Sequence, residues 1–246
     1  MAFWIQVGLN DAASPQQYGI IMFHDHCYFV LRIVLVGLLQ YIGYLILNDL
    51  HARFIYEHSL VEFLWTIFPM VVISFLVIPS LLLLYRIDEG AIKNCCTVKA
   101  VGHQWYWEYQ SSNLEGKQVR YERYMVPENE LRLGEPRNLT ADQALILPYG
   151  QIIRLLVTSA DVLHSFAVPS LGAKADCIDG RLNVITLMME TAGILFGQCS
   201  ELCGAGHRFI PISVKGVSLE DYLHFIGKQR CSAALVECEC AWGKAE

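Results

Sequence analysis

The sequence predicts a membrane α-helical hairpin followed by an all-β domain of sandwich or Greek-key barrel type, and three observations predict it. The 246 residues are 54% hydrophobic and only 17% charged, against about 25% charged in ordinary soluble domains. Nearly all the long uncharged runs fall between residues 28 and 85. Beyond Thr97 the pattern changes to short β-branched and aromatic runs separated by turn residues, the mark of an antiparallel all-β fold.

Taken in order, residues 1–27 read as a segment outside the membrane. They contain no Lys or Arg, so the basic start of an export signal is not expected there. The first span is Tyr28–Asn48, interrupted by Arg32 and Gln40; Arg32 lies close enough to the start to snorkel to the interface. The second, "FLWTIFPMVVISFLVIPSLLLLY" over 63–85, runs 23 residues without a charge, and about 20 suffice to cross the hydrocarbon. Its Pro69 and Pro79 are tolerated in membrane helices, where neighbouring groups satisfy the freed carbonyls. The connection Asp49–Glu62 suits a hairpin, which places both ends of the chain on one side of the lipid bilayer. Arg53, Arg86 and Lys93 are too few to set which side.

From 86 to 230 the runs "TVKAVGHQWYWEY", "QIIRLLVTS", "VLHSFAVP", "NVITLMME", "AGILFGQ" and "IPISVKGV" each read as strands. If the first is one strand, His103, Trp105, Trp107 and Tyr109 share a face. Near the end, "SLEDYLHFIGKQ" reads as an amphipathic helix capped by Ser218 with Asp221 three residues on. Residues 231–246 form a cysteine-bearing tail. A formal charge of −6 leaves no basic surplus for a nucleic-acid partner.

Nine cysteines cannot all pair within one chain. Most read as small buried hydrophobes, and Cys231, Cys238 and Cys240 of the tail are open to metal binding or pairing outside the chain. Cys199 and Cys203 differ, because "GQCSELCGAGH" adds His207 four residues after the second cysteine. Thiolate and imidazole select copper, zinc or iron-sulfur centres over hard cations. His164, in the apolar run "DVLHSFAVPS", is the best further donor. Two Cys and two His make a complete tetrahedral zinc set. The wide gap between His164 and the loop instead suits copper electron-transfer sites in β-sandwiches.

These motifs, with "FHDH", "LWTIFP", "PSLLLLY", "VGHQWYWEY", "VLHSFAVPSLG" and "GRLN", resemble subunit II of haem-copper cytochrome c oxidase over nearly the whole length. The resemblance implies a cupredoxin-like domain holding CuA, a dinuclear copper centre, with Cys199 and Cys203 as bridging ligands, His164 and His207 as terminal ligands and the backbone carbonyl of Glu201 as a weak one. It implies a magnesium ion on the Glu201 side chain at the contact with subunit I, and electron delivery by cytochrome c through Trp105. Asp161 and Glu201 match acids near the docking face, which steer a basic partner, and Glu62 matches a glutamate feeding the K proton pathway of subunit I. Electrons would pass on to haem in subunit I, among other oxidase subunits of the mitochondrial inner membrane, with the copper domain in the intermembrane space. One departure stands out. Where the family has an axial methionine this chain has Ile210, which cannot ligate and implies a shifted potential; Met188 and Met189 are possible substitutes. A copper-free quinol-oxidase subunit and a membrane-tethered zinc or copper-binding protein are the rival readings.

Overall fold

The computed structural model of the chain describes residues 6–49, 56–88, 96–112 and 118–226. Cys95 and the tail cysteines Cys231, Cys238 and Cys240 lie outside them. The described residues fall into two compact units: those within 19–87, and those of 6–18 together with those from Asp88 to 226.

The helical unit comprises α1 (Pro15–Leu47) and α2 (Ser59–Asp88). α1 begins well ahead of Tyr28 because "SP" is a helix start: the Ser14 hydroxyl accepts the Gln17 N–H at 3.0 Å, and Pro15 follows where a missing N–H costs nothing. Its 33 residues extend about 50 Å at about 1.5 Å each, more than the ~30 Å of hydrocarbon. No residue of either apolar window is buried within the chain, as suits a surface solvated by lipid. Arg32 reaches one turn back, donating to the Tyr28 hydroxyl at 3.2 Å. Pro69 and Pro79 sit inside α2 without ending it.

The β unit contains β1 (Cys96–His103), β2 (Tyr106–Ser112), β3 (Gln118–Arg123), β4 (Leu145–Pro148), β5 (Ile152–Ser159), β6 (His164–Val168), β7 (Ala173–Cys177), β8 (Asn183–Met188), β9 (Gly193–Gln198) and β10 (Pro211–Val217). One sheet runs β3-β2-β1-β5-β8, a second β4-β10-β9, and β6 pairs with β7. β1 lies parallel to β5 and antiparallel to β2. The core follows the two-residue period: Ile153, Leu155 and Val157 point in from β5 while Arg154 points out. β6 is buried along its whole length. Gly197 of β9 permits close approach to it, since a Cβ there would collide with the Ala167 carbonyl.

The run 97–109 is not one strand. β1 and β2 form a hairpin with Val98 opposite Ser111 and His103 opposite Tyr106, and the chain reverses at the cis peptide Gln104–Trp105. Alternation holds only along an uninterrupted strand, so the expected shared face is divided. Trp107 and Tyr109 are buried, whereas Trp105 is 40% exposed at the turn. His103 stacks on Tyr106 at 4.6 Å, with Nε2 3.3 Å from Glu108 Oε2.

The segment ahead of α1 is woven into the β unit. Ala13 N–H donates to the Ser170 carbonyl at 2.8 Å, Glu190 N–H to the Ala13 carbonyl at 3.0 Å, and the Ser14 hydroxyl to the Leu171 carbonyl at 2.8 Å. At the other end, the helix over 219–226 starts as expected, with Asp221 N–H on the Ser218 hydroxyl at 3.1 Å. It buries Tyr222.

Candidate metal centre

β6 opens on His164, and the segment between β9 and β10 carries Cys199, Cys203 and, in the short turn His207–Phe209, His207. Donor atoms of His164, Cys199 and Cys203 lie within 4.8 Å of one another, all three residues buried. His164 Nδ1 is 3.8 Å from Cys199 Sγ, and His207 Nδ1 is 3.5 Å from Cys203 Sγ. Cys199 Sγ lies 3.4 Å from the Glu201 carbonyl, while the Glu201 side chain is exposed. Thus His164, Cys199 and Cys203 converge, His207 lies beside Cys203, and the Glu201 carbonyl, which the resemblance adds, lies beside Cys199.

Gly102 makes room for the His164 ring, since a Cβ there would stand 2.8 Å from it. The Trp107 ring lies 6.1 Å from it on another side. His164 Nε2 meets Asp161 Oδ1 at 2.8 Å, leaving Nδ1 toward the sulfurs. Asp161 also accepts the Gln104 N–H at 2.6 Å and the Val162 N–H at 2.6 Å. Burial works to raise its carboxyl, but the bonds from His164, Val162 and Gln104 outweigh it and hold it below the ordinary carboxylate value. For His164, burial is outweighed by Cys199 and Asp161, and its pKa is raised. Asp161 thus makes internal bonds while its residue stays exposed, a positioning role in addition to the docking-face role that the resemblance implies. The spacing Asp-x-x-His was the available signal.

The two thiols differ. Cys199 is lowered, because His164 and the Glu201 and Ser165 backbones outweigh burial. Cys203 is raised by burial and by Cys199 beside it. Two thiolates side by side need a cation, and a buried pair of sulfurs with imidazoles suits copper or zinc.

Ile210 is fully buried, and its carbonyl accepts the Cys199 N–H at 3.1 Å. The methionines do not replace it. Met189 lies where a Gly216 Cβ would be 2.8 Å from its Cε, at the Gly193–Gly216 end of the β9–β10 ladder, and the loop joins the Gln198–Pro211 end. Five residues of strand, about 16 Å, separate them. Met188 pairs with Ile152 at the start of β5.

Trp105 Nε1 donates to the Cys203 carbonyl at 3.3 Å, and the Gln104 side chain donates to the same oxygen at 2.8 Å. A Cβ on Gly206 would collide with the indole. Sequence reasoning missed Gln104, because an amide inside an aromatic run carries no motif. In the helical unit, Glu62 stands exposed in the first turn of α2, with Oε1 3.4 Å from the His58 N–H.

Two apolar spanning helices and a β-sandwich with a buried His–Cys–Cys cluster define a membrane-anchored, cupredoxin-like protein. The profile described as "Cytochrome C oxidase subunit II, periplasmic domain" matches residues 96–217, and that described as "Cytochrome C oxidase subunit II, transmembrane domain" matches residues 2–83. The chain belongs to the cytochrome c oxidase subunit II family. It is 43% identical over 221 residues to cytochrome c oxidase subunit 2 of Metridium senile, covering 90% of this chain and 89% of that one. It is 40% identical to the Culex quinquefasciatus protein of the same name, covering 93% and 99%. The crystal structure of the periplasmic domain of subunit II of cytochrome oxidase of Bradyrhizobium japonicum superposes with a TM-score of 0.52 at 36% identity, covering 57% of this chain and 96% of that one. A solved mixed-disulfide intermediate between a thioredoxin-like protein and subunit II of cytochrome c oxidase gives 0.50 at 33% identity, covering 59% and 97%. This is a membrane-inserted component of a respiratory oxidase, made to associate with other oxidase subunits.

Proposed function

We propose that this chain is the electron-accepting subunit of cytochrome c oxidase, taking electrons from cytochrome c at a dinuclear CuA centre and handing them to haem in subunit I, where oxygen reduction is coupled to proton pumping. The convergence of His164, Cys199 and Cys203 within 4.8 Å, with His207 3.5 Å from Cys203, carries the reading. Copper is assigned to Cys199, Cys203, His164, His207 and the Glu201 carbonyl, and magnesium, shared with subunit I, to the Glu201 carboxylate, an ordinary ligand for that ion. Bound copper supplies one-electron exchange between two oxidation states.

The side chains do the rest. Asp161 fixes the tautomer and direction of His164. Trp107 and Ile210, both fully buried, wall the cluster from water. Trp105, partly exposed and bonded to the Cys203 carbonyl, offers an aromatic edge where an electron from a docked partner arrives. Glu62, a carboxylate at the mouth of an apolar helix, is the proton-pathway candidate, since such a group is costly there unless it has work to do. Animal and plant relatives support the mitochondrial inner membrane, with the β unit in the intermembrane space.

Full-length chain in detergent, reconstituted with copper, tests this. The expected result is a purple protein with the seven-line EPR signal of a delocalised mixed-valence pair. A silent spectrum, as a zinc protein or a copper-free quinol-oxidase subunit gives, overturns it.

A further inference from the structure

Two donor sets meet at the cluster, and one backbone bond, from the Ser200 N–H to the Ser165 carbonyl at 3.0 Å, ties the Cys199 end of the loop to β6; the Cys203 end lies four residues further on. His164 arrives on β6, and Cys203 sits in the segment between β9 and β10. Gln104, at the tip of the β1–β2 hairpin, touches both. Its backbone N–H donates to Asp161 Oδ2 at 2.6 Å, while Asp161 Oδ1 holds His164 Nε2 at 2.8 Å. Its side-chain Nε2 donates to the Cys203 carbonyl at 2.8 Å. A continuous chain of bonds, His164 to Asp161 to Gln104 to Cys203, therefore forms a second link, at the Cys203 end of the loop.

That carbonyl is a point that needs holding. The next residue, Gly204, has a φ of +116°, a region open to glycine and closed to most residues, so no side chain at 204 helps to hold the Cys203–Gly204 peptide in place. The other donor to the same oxygen, Trp105 Nε1, stands at 3.3 Å, longer than a good N–H···O bond. The amide of Gln104 is the shorter and better placed of the two.

We propose that Gln104 is a positioning residue of the metal centre, which sets the Cys203 loop in register with His164 through the Cys203 carbonyl and thereby also fixes the loop against Trp105. The proposal rests on the assignment of Cys203 and His164 as copper ligands. Donation of the N–H, rather than the bulk of the side chain, carries the effect. Glutamate keeps the length and planarity of glutamine but at neutral pH offers no donor.

The test compares wild type, Gln104→Glu and Gln104→Met as full-length chains in detergent, each loaded with copper and checked for folding by far-UV circular dichroism. Both variants are expected to release copper to a strong chelator about fivefold faster, the scale of one ordinary hydrogen bond, and to show altered copper hyperfine splitting with an unchanged dichroism spectrum. Wild-type release and wild-type hyperfine splitting in Gln104→Glu overturn the proposal alone. A wild-type chain that gives no mixed-valence signal overturns the copper assignment beneath it, and the proposal with it.

Discussion

Asp161 illustrates what a residue's neighbours decide. It is an exposed acid, and its carboxylate is at the same time engaged by His164, Gln104 and Val162. Asp161→Asn removes one acceptor from that set, so copper affinity is expected to fall about 10- to 100-fold, the usual cost of a lost outer-shell partner. A competition titration measures it; unchanged affinity with an altered salt dependence of cytochrome c association would return Asp161 to a steering role. Gly206→Ala is expected to push Trp105 out of place, because the new Cβ collides with the indole; a red-shifted tryptophan emission and loss of copper report it. Cys199, Cys203 and His207 were legible because their spacing lies within one short segment. The Gln104 contact was not, since its partner is 99 residues away and an amide has no ligand signature.

Among the elements, the strands with continuous apolar or alternating runs, β5, β6, β8, β9 and β10, were readable from pattern alone. β3, β4 and β7 were not; β4, "LILP", is apolar but only four residues long and ends on a proline. β3, "QVRYER", carries charges through its length, and β7, "AKADC", alternates small and charged residues, so neither shows the β-branched richness that marks strands. β3 even buries Arg123, with its guanidinium over the Tyr121 ring at 4.4 Å, Nη1 on the Glu122 carbonyl at 2.9 Å and Nε unsatisfied. Among the described residues no carboxylate pairs with it. A buried charge without a counterion is costly, so Arg123→Met is expected to stabilise the β unit by about 1 kcal/mol, read as a higher thermal midpoint by circular dichroism. Gly197→Ala should do the reverse. A methyl aimed at the Ala167 backbone oxygen overpacks β9 against the buried strand β6, at a cost of about 3 kcal/mol, measured the same way.

At the scale of the molecule, hydropathy located two spans, and the structure supplies what charge counting did not: a reason for the hairpin. Residues 13 and 14, just ahead of α1, are bonded into the same β unit that follows α2. Both outer ends of the helical pair therefore belong on one side of a bilayer. Protease added on that side is expected to digest the β unit, and protease added on the other to reach only the connection between α1 and α2, as immunoblots against each region would show. The same bonds have a further consequence for how the protein is made. Ser14 leaves the ribosome before either helix, but its acceptor Leu171 emerges 157 positions later, after both helices have been committed to the lipid. The sandwich can be completed only if translocation has delivered its first and last contributors to one compartment. A wrongly threaded chain would strand them on opposite faces and leave the bonds of Ala13 and Ser14 to the β unit unmade.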